Sequence, residues 1–172
     1  MLGLVLPNGL VLGRRVRVLR HSRSSGDGSW DPPYGIRRHV LAPFEEVSVE
    51  LLDVASGTAF DCIMRAYDAG VAVRYRIRKQ AERTPFVIAG EVTQFRLPRG
   101  SRVYASRDEG EYQVAVPRAV APVPHPDLTA SCDPEPLADL PVSVELQGGK
   151  VIVIAESDRL HYPRAMLLAA HD

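Results

Sequence analysis

The chain has 172 residues, enough for one domain with a sizeable hydrophobic core or for two very small ones. Apolar residues make up 45% and charged residues 24%, a composition that excludes a disordered chain. The 21 basic and 21 acidic side chains balance, so composition gives no electrostatic case for a nucleic acid or an anionic membrane as partner. No apolar run is long enough to cross a bilayer.

The chain starts with an apolar segment, residues 1–6, which no basic residue precedes and which Pro7-Asn8-Gly9 interrupts. A signal peptide has a positive start, a longer apolar stretch and a small-residue cleavage site, so this segment does not fit one. Asn8-Gly9 instead favours a β-hairpin with a type I′ turn, because both residues tolerate positive φ angles. We therefore expect a hairpin here, and the sequence leaves the localisation undetermined.

Alternation of apolar and polar residues predicts strands along most of the chain. The clearest segment is residues 71–77, where four apolar side chains share one face and Ala72, Arg74 and Arg76 share the other. Tight turns at residues 68–70 and at Gly148-Gly149 predict two hairpins, over residues 59–78 and 142–155. Further strands are predicted at residues 16–19, 47–52, 86–88, 93–97, 103–105 and 112–116.

Two stretches are predicted to be loops, residues 21–28 because they are rich in Ser, Gly and Arg, and residues 117–141 because they are rich in Pro. Residues 165–170 are the one place where a short helical turn is expected. Fourteen prolines and thirteen glycines separate short strands, as is typical of an all-β sandwich or barrel. We predict a single antiparallel β-sandwich domain over residues 1–172.

Motifs for enzyme chemistry are sparse. The five histidines have no metal-site spacing, and the sequence has no nucleophile elbow, phosphate-binding loop or dinucleotide-binding motif. Cys62 lies in an apolar run and is expected to be buried, whereas Cys132 lies in a polar stretch, and spacing does not decide whether they pair. Glu156 and Asp158 follow a strong strand and could supply oxygen ligands to calcium, although one carboxylate alone would bind it weakly.

Aromatic and basic side chains give two further candidates. Trp30 and Tyr34 lie in the segment Trp-Asp-Pro-Pro-Tyr-Gly. They could stack on sugar rings or could plug the end of the sandwich, and the sequence leaves both interpretations open. Residues 74–79 form a basic stripe. A solvated face, or ion pairs with a neighbouring strand, is a simpler interpretation of this stripe than nucleic-acid binding.

Residues 65–75 (Arg-Ala-Tyr-Asp-Ala-Gly-Val-Ala-Val-Arg-Tyr) and residues 30–35 (Trp-Asp-Pro-Pro-Tyr-Gly) resemble segments of the N-terminal β-sandwich domain of glycoside hydrolase family 97. Residues 65–75 are similar to the family's Arg-x-Tyr-x-Asp-Gly-x-Ala-Phe-Arg-Tyr hairpin, with Ala69 in place of the Asp and Val73 in place of the Phe. Residues 30–35 are similar to its Trp-x-Pro-x-aromatic-Gly loop. The resemblance runs from about residue 2 to about residue 168, and the shared order of these segments adds to its specificity.

Residues 156–158 (Glu-Ser-Asp), followed by Tyr162-Pro163, resemble a Glu-Ala/Ser-Asp…Tyr-Pro block of that family, with Arg164 in place of a Gly. The resemblance implies a galactose-mutarotase-like supersandwich, shortened at both ends, that packs on a catalytic (β/α)₈ barrel for which this chain has no counterpart. The family hydrolyses α-glucosidic or α-galactosidic bonds and uses calcium, and its catalytic residues lie in the barrel. By its place in the block, Glu156 is the residue implied as a calcium ligand.

The resemblance therefore implies no catalytic residue in this chain, an α-glycoside as the carbohydrate bound by the assembled enzyme, and a periplasmic or secreted location for the parent family. Two other functions stay open. The chain could be a stand-alone carbohydrate-binding module that uses Trp30 and Tyr34. More remotely, it could be a sugar mutarotase or epimerase, which would need His and Glu side chains on a concave face.

Overall fold

A computed structural model of the protein describes residues 3–78, 87–106, 112–115, 119–122, 137–157 and 165–169. These residues form fourteen strands and, within the described ranges, no helix. All strand pairs described below are antiparallel, which confirms the predicted all-β class. The strands are β1 (Leu4–Val5), β2 (Val11–Leu12), β3 (Val16–Asp27), β4 (Pro43–Asp53), β5 (Ala59–Tyr67), β6 (Gly70–Ile77), β7 (Gly90–Glu91), β8 (Phe95–Arg96), β9 (Arg102–Ser106), β10 (Tyr112–Ala115), β11 (Ala119–Pro122), β12 (Leu137–Glu145), β13 (Val151–Ile154) and β14 (Met166–Ala169).

The chain divides into two compact units, which we call the four-stranded unit (Leu12–Phe86) and the seven-stranded unit (Met1–Val11 with Val87–Asp172). The prediction of a single domain stays a prediction. Each unit has its own main sheet, and the two main sheets differ in how their side chains are arranged.

The four-stranded unit is a meander in which β3, β4, β5 and β6 pair in chain order. The predicted hairpin over residues 59–78 is confirmed, because Tyr67 pairs with Gly70 across a two-residue loop. Cys62 lies between Val49 and Tyr75 of the neighbouring strands, on the more apolar face. Its thiol is buried, as predicted, and burial raises the pKa of that thiol.

The seven-stranded unit contains a sheet in the order β10-β9-β12-β14-β11-β8, with β13 also paired to β12, and a small sheet β2-β1-β7. Along β12, buried Val142 and Val144 alternate with Ser143 and Glu145, so one face of the strand is apolar. The predicted hairpin over residues 142–155 is confirmed by the pairing of β12 with β13. Buried apolar residues form the core of this unit: Leu97, Val103, Ala105, Ala138, Val142, Val144, Ile154 and Leu167.

Three predictions about loops and helices were wrong in the described residues. Residues 21–27 continue β3 and pair without a break with Pro43–Val49, because β4 satisfies their backbone groups although their composition is poor for a strand. Residues 119–122 and 137–141 are strands; Pro141, preceded by a cis peptide bond, lies where the pairing of β12 with β9 is irregular, so its missing N–H is tolerated. Residues 166–169 form β14 between β11 and β12 instead of a helical turn.

The first hairpin was predicted, but its turn type was wrong. Gly9 N donates to Leu6 O at 2.9 Å, and Leu6 N donates to Leu10 O at 2.8 Å. The loop therefore has three residues, with Pro7 at the first turn position and Gly9 at φ +78°. Proline holds φ near −65°, which excludes the type I′ turn at that position and favours a type I turn followed by a glycine bulge. The predicted strand at 86–88 is absent at residues 87–88, and Phe86 lies outside the described residues.

Candidate functional site

Glu156 lies just beyond the end of β13 and is partly buried. Its Oε2 accepts a hydrogen bond of 3.0 Å from the backbone N–H of Ala165, which immediately precedes β14. The side chain therefore links the end of β13 to the start of β14, and this bond orients its carboxylate. Asp158 and Tyr162 of the same sequence block lie outside the described residues, as does His161.

Trp30 and Tyr34 lie on the connection from β3 to β4, residues 28–42, which we call the 28–42 extension. Trp30 N donates to Val40 O at 3.1 Å, and Val40 N donates to Trp30 O at 2.9 Å. Gly28 N donates to Ala42 O at 3.0 Å, so the ladder of β3 and β4 continues into the extension. The base of the extension is thus a hydrogen-bonded ribbon.

Side chains add to this ribbon. His39 Nδ1 and Asp31 Oδ1 are 2.6 Å apart, and both residues are exposed. Ser29 Oγ accepts a hydrogen bond of 2.9 Å from Ala42 N. The hydroxyl and backbone N–H of Ser29 both donate to Asp27, and these bonds lower the pKa of the Asp27 carboxyl.

Apolar side chains of the extension face solvent. Tyr34 is 85% exposed and Trp30 is 54% exposed. Ile36 is fully exposed, and Leu41 is 77% exposed. The interpretation of Trp30 and Tyr34 as a plug over the end of the sheet is therefore wrong for Tyr34, because a plugging ring would be buried.

A row of charged side chains crosses the four-stranded sheet on the face opposite Cys62. Arg20, Glu50, Asp61 and Arg76 lie directly opposite one another in β3, β4, β5 and β6. Asp61 is fully buried and accepts hydrogen bonds of 2.8 Å from Arg76 Nε and from Arg78 Nη2. This row confirms the interpretation of the basic stripe at Arg76 and Arg78 as ion pairs with a neighbouring strand.

Glu50 completes the charged row. Its carboxylate lies 3.3 Å from Arg78 Nη1 and 3.5 Å from Arg20 Nη2. Burial alone would raise the pKa of Asp61, but its hydrogen bonds with Arg78 and Arg76 outweigh that effect and lower it. The same bond with Asp61 raises the pKa of Arg78. Three arginines and two carboxylates, with one positive charge in excess, surround a polar depression of about 100 Å³. The depression is lined by Arg20, His21, Ser22, Ser48, Glu50, Asp61, Arg76 and Arg78.

Sequence reasoning missed Asp61, which is the centre of this row. The available signal was an acidic residue inside the apolar run Ala-Phe-Asp-Cys-Ile-Met, within a segment already predicted to form a hairpin with the arginine-bearing strand. A carboxylate at such a position requires a cationic partner, because an isolated buried charge is strongly unfavourable.

Comparison with known proteins places these features in a family. The sequence model described as glycosyl-hydrolase 97 N-terminal matches residues 1–172. The chain belongs to this family. No curated protein sequence matches the chain.

Solved structures that share this fold include glycoside hydrolase family 97 enzymes from Pseudoalteromonas sp. strain K8. One of them, in complex with acarbose, has a TM-score of 0.76 at 20% sequence identity. The aligned region covers 99% of this chain and 26% of the chain of that enzyme. A variant in complex with panose has a TM-score of 0.75 at the same identity and coverage. The glycosyl-hydrolase 97 N-terminal chain therefore spans about a quarter of the length of these solved relatives.

The donor set of this family 97 domain can be tested against the calcium that the sequence resemblance implies. Glu156 offers the carboxylate oxygen that calcium prefers, but calcium takes six to eight oxygen ligands. Among the described residues, no group of three or more His, Cys, Asp or Glu side chains is placed to hold a metal ion. Glu156 by itself therefore does not make a complete calcium site among the described residues. The described residues also contain no helix long and apolar enough to span a membrane.

Proposed function

We propose that this chain is the non-catalytic N-terminal β-sandwich of a family 97 α-glycosidase. In this proposal it packs on a catalytic (β/α)₈ barrel and contributes to the sugar and calcium site of the assembled enzyme. The match of the family model to the whole chain carries the proposal. The solved relatives with acarbose and panose support an α-glycoside as the substrate, and their extra length leaves room for a barrel.

Glu156 is the residue that we assign to calcium within this proposal. The hydrogen bond from Ala165 holds its carboxylate where β13 ends and β14 begins, so the ligand is oriented before any metal binds. Bound calcium supplies positive charge that can polarise a substrate oxygen or a water molecule. In this proposal, the described part of the chain supplies and orients one oxygen ligand of the calcium site.

The first experiment titrates the purified chain with calcium, then with maltose and melibiose, by calorimetry. We expect no saturable binding, because one carboxylate is far short of a calcium coordination sphere. We also expect no cleavage of an aryl α-glucoside or α-galactoside by the chain alone. Hydrolysis by the chain alone would contradict the proposal.

The second experiment adds the catalytic region of a family 97 enzyme, produced without its own N-terminal sandwich. The mixture should cleave an aryl α-glycoside, and a calcium chelator should abolish the cleavage. Glu156→Gln should weaken the apparent calcium affinity about tenfold or more, while Glu45→Gln, an exposed carboxylate on β4, should leave it unchanged. An unaltered calcium affinity in Glu156→Gln would remove Glu156 from the site.

A stand-alone carbohydrate-binding module is the second candidate, and the exposure of Trp30 and Tyr34 favours it. Saturable binding of maltose to the chain alone, lost in Trp30→Ala, would support this function over the first. The remote mutarotase alternative predicts that the chain accelerates the anomerisation of glucose or galactose. Unchanged anomerisation rates would dispose of it.

A further inference from the structure

We propose that the 28–42 extension is the contact through which this domain docks on the catalytic region of a family 97 enzyme. Trp30, Tyr34 and Ile36 are the anchoring side chains in this proposal. It rests on the proposed function, because it identifies the surface that the assembly would use.

The base of the extension is fixed by hydrogen bonds, and the segment projects apolar side chains into solvent. Two hydrogen bonds between Trp30 and Val40 fix its base, and Asp31 and His39 pair on the neighbouring position of the ribbon. A segment that is already ordered loses less conformational entropy when it binds a partner. The extension therefore meets one requirement of an interface.

The exposed side chains are of the types that anchor interfaces. Isolated exposed apolar residues are ordinary in globular proteins. Here Trp30, Tyr34, Ile36 and Leu41, all 54% exposed or more, come from one connection between two strands. A concentration of this kind indicates an interaction site, and Trp and Tyr contribute most often to its affinity.

The aliphatic members favour a protein partner over a sugar. A sugar ring stacks on the flat face of an aromatic side chain, which Ile36 and Leu41 do not offer. Branched aliphatic side chains gain most from an apolar pocket on another protein. Ile36, the most exposed of the set, therefore distinguishes the two kinds of partner.

The catalytic region is the partner that the comparisons and the charge favour. The chain covers only 26% of its solved relatives, so in that family a much larger body of protein accompanies this fold. Arg37 and Arg38 lie between Ile36 and Leu41 in the sequence. A two-fold contact between two copies of the extension would bring these arginines together, so a second copy of the chain is disfavoured as the partner. An apolar pocket with an acidic rim would instead complement the arginines.

Trp30 itself reports on the contact, because it is the only tryptophan of the chain. In the experiment, a fluorinated analogue replaces the tryptophan of the full 172-residue chain. The chain is titrated with the family 97 catalytic region, and the ¹⁹F NMR signal of position 30 is followed. We expect a saturable change of the Trp30 signal that indicates burial. Ile36→Asp should weaken the complex about tenfold or more, as expected for an anchoring residue.

Val54→Asp is the matched control. Val54 is 55% exposed and follows the far end of β4, whereas the extension precedes its start, so the same change of charge there should leave the affinity unaltered. A complex that forms with an unchanged Trp30 signal and with full affinity in Ile36→Asp overturns the docking surface and leaves the proposed function intact. The absence of any complex overturns both.

Two further titrations complete the test. Maltose and panose should leave the Trp30 signal unchanged. A saturable change with either sugar that persists in Ile36→Asp overturns the proposal in favour of sugar stacking. A change that depends on the concentration of the chain alone overturns it in favour of self-association.

Discussion

The two units of the chain are stabilised in different ways. Among the residues that the structure describes, the seven-stranded unit buries eight apolar side chains in one cluster, and Val142, Val144 and Leu167 are almost completely inaccessible there. The four-stranded unit places a fully buried carboxylate, Asp61, among arginines on one face of its sheet. Removal of apolar volume should therefore weaken the seven-stranded unit most, and removal of charge should weaken the four-stranded unit most.

The largest effect is expected from Leu167→Ala in the seven-stranded unit. Leu167 is 1% exposed, so truncation removes apolar burial and leaves a cavity, at about 2–5 kcal/mol of unfolding free energy. Leu10→Ala, in the same unit but 37% exposed, is the matched control and should cost much less. Urea unfolding followed by circular dichroism measures both. Equal losses would show that the apolar core does not set the stability of this unit.

Asp61→Asn tests the charged row of the four-stranded unit. The amide loses the charge-assisted hydrogen bonds from Arg76 and Arg78, and we expect a loss of about 2–3 kcal/mol near neutral pH. Asp68→Asn, in the exposed turn of the same hairpin, should change the unfolding free energy by less than about 0.5 kcal/mol. Urea unfolding again measures both variants, and equal stability of Asp61→Asn and the parent chain would contradict the role of the row.

The pH dependence of the same variant sharpens the comparison. The pKa of Asp61 is lowered in the folded chain, so its stabilisation is fully present above its unfolded pKa of about 3.9. It is lost as the pH falls below that value and through the lower folded pKa. The stability difference between the parent chain and Asp61→Asn should therefore shrink between about pH 5 and about pH 2. A difference that stays constant over that range would exclude the ionised carboxylate as its source.

Gly26→Ala is expected to have a smaller effect. A Cβ at position 26 would lie 2.7 Å from Cζ of Phe44, whose ring also lies 4.0 Å from the guanidinium of Arg65. Displacing this ring should cost about 1–2 kcal/mol. Gly70→Ala in the same sheet meets no atom within 4 Å and should be close to neutral. Thermal unfolding of the two variants tests the prediction, and an equally tolerated Gly26→Ala would show that the Phe44 ring moves freely.

The smallest effect is expected from Tyr104→Phe in the seven-stranded unit. The Tyr104 hydroxyl donates a hydrogen bond of 2.7 Å to Glu145 on the neighbouring strand, and its loss should cost about 1 kcal/mol. Tyr34→Phe removes a hydroxyl from an 85% exposed ring and serves as the control. The two unfolding midpoints are compared in urea. A larger loss in Tyr34→Phe would reverse the expectation that the cross-strand bond matters.

The candidate site shows the same limits of sequence reasoning as the fold. Trp30 and Tyr34 could be singled out from their segment, but their exposure and the hydrogen-bonded ribbon beneath them depend on the pairing of residues on either side of the turn. Glu156 was selected through its family block, and its bond to Ala165 joins residues that a sequence pattern does not relate. Its calcium ligation stays a prediction.

Alternation and turn residues act locally, so they were enough to predict the all-β class, the hairpins at residues 59–78 and 142–155, and the arginine-bearing face of β6. Three other features became visible only in the folded chain: the Ser- and Arg-rich residues 21–27 are a strand, residues 166–169 are not helical, and Asp61 is buried between arginines. Each of these outcomes depends on partners in another strand. Backbone pairing and charge compensation across a sheet override local propensity. The register of the strands decides which residues become partners.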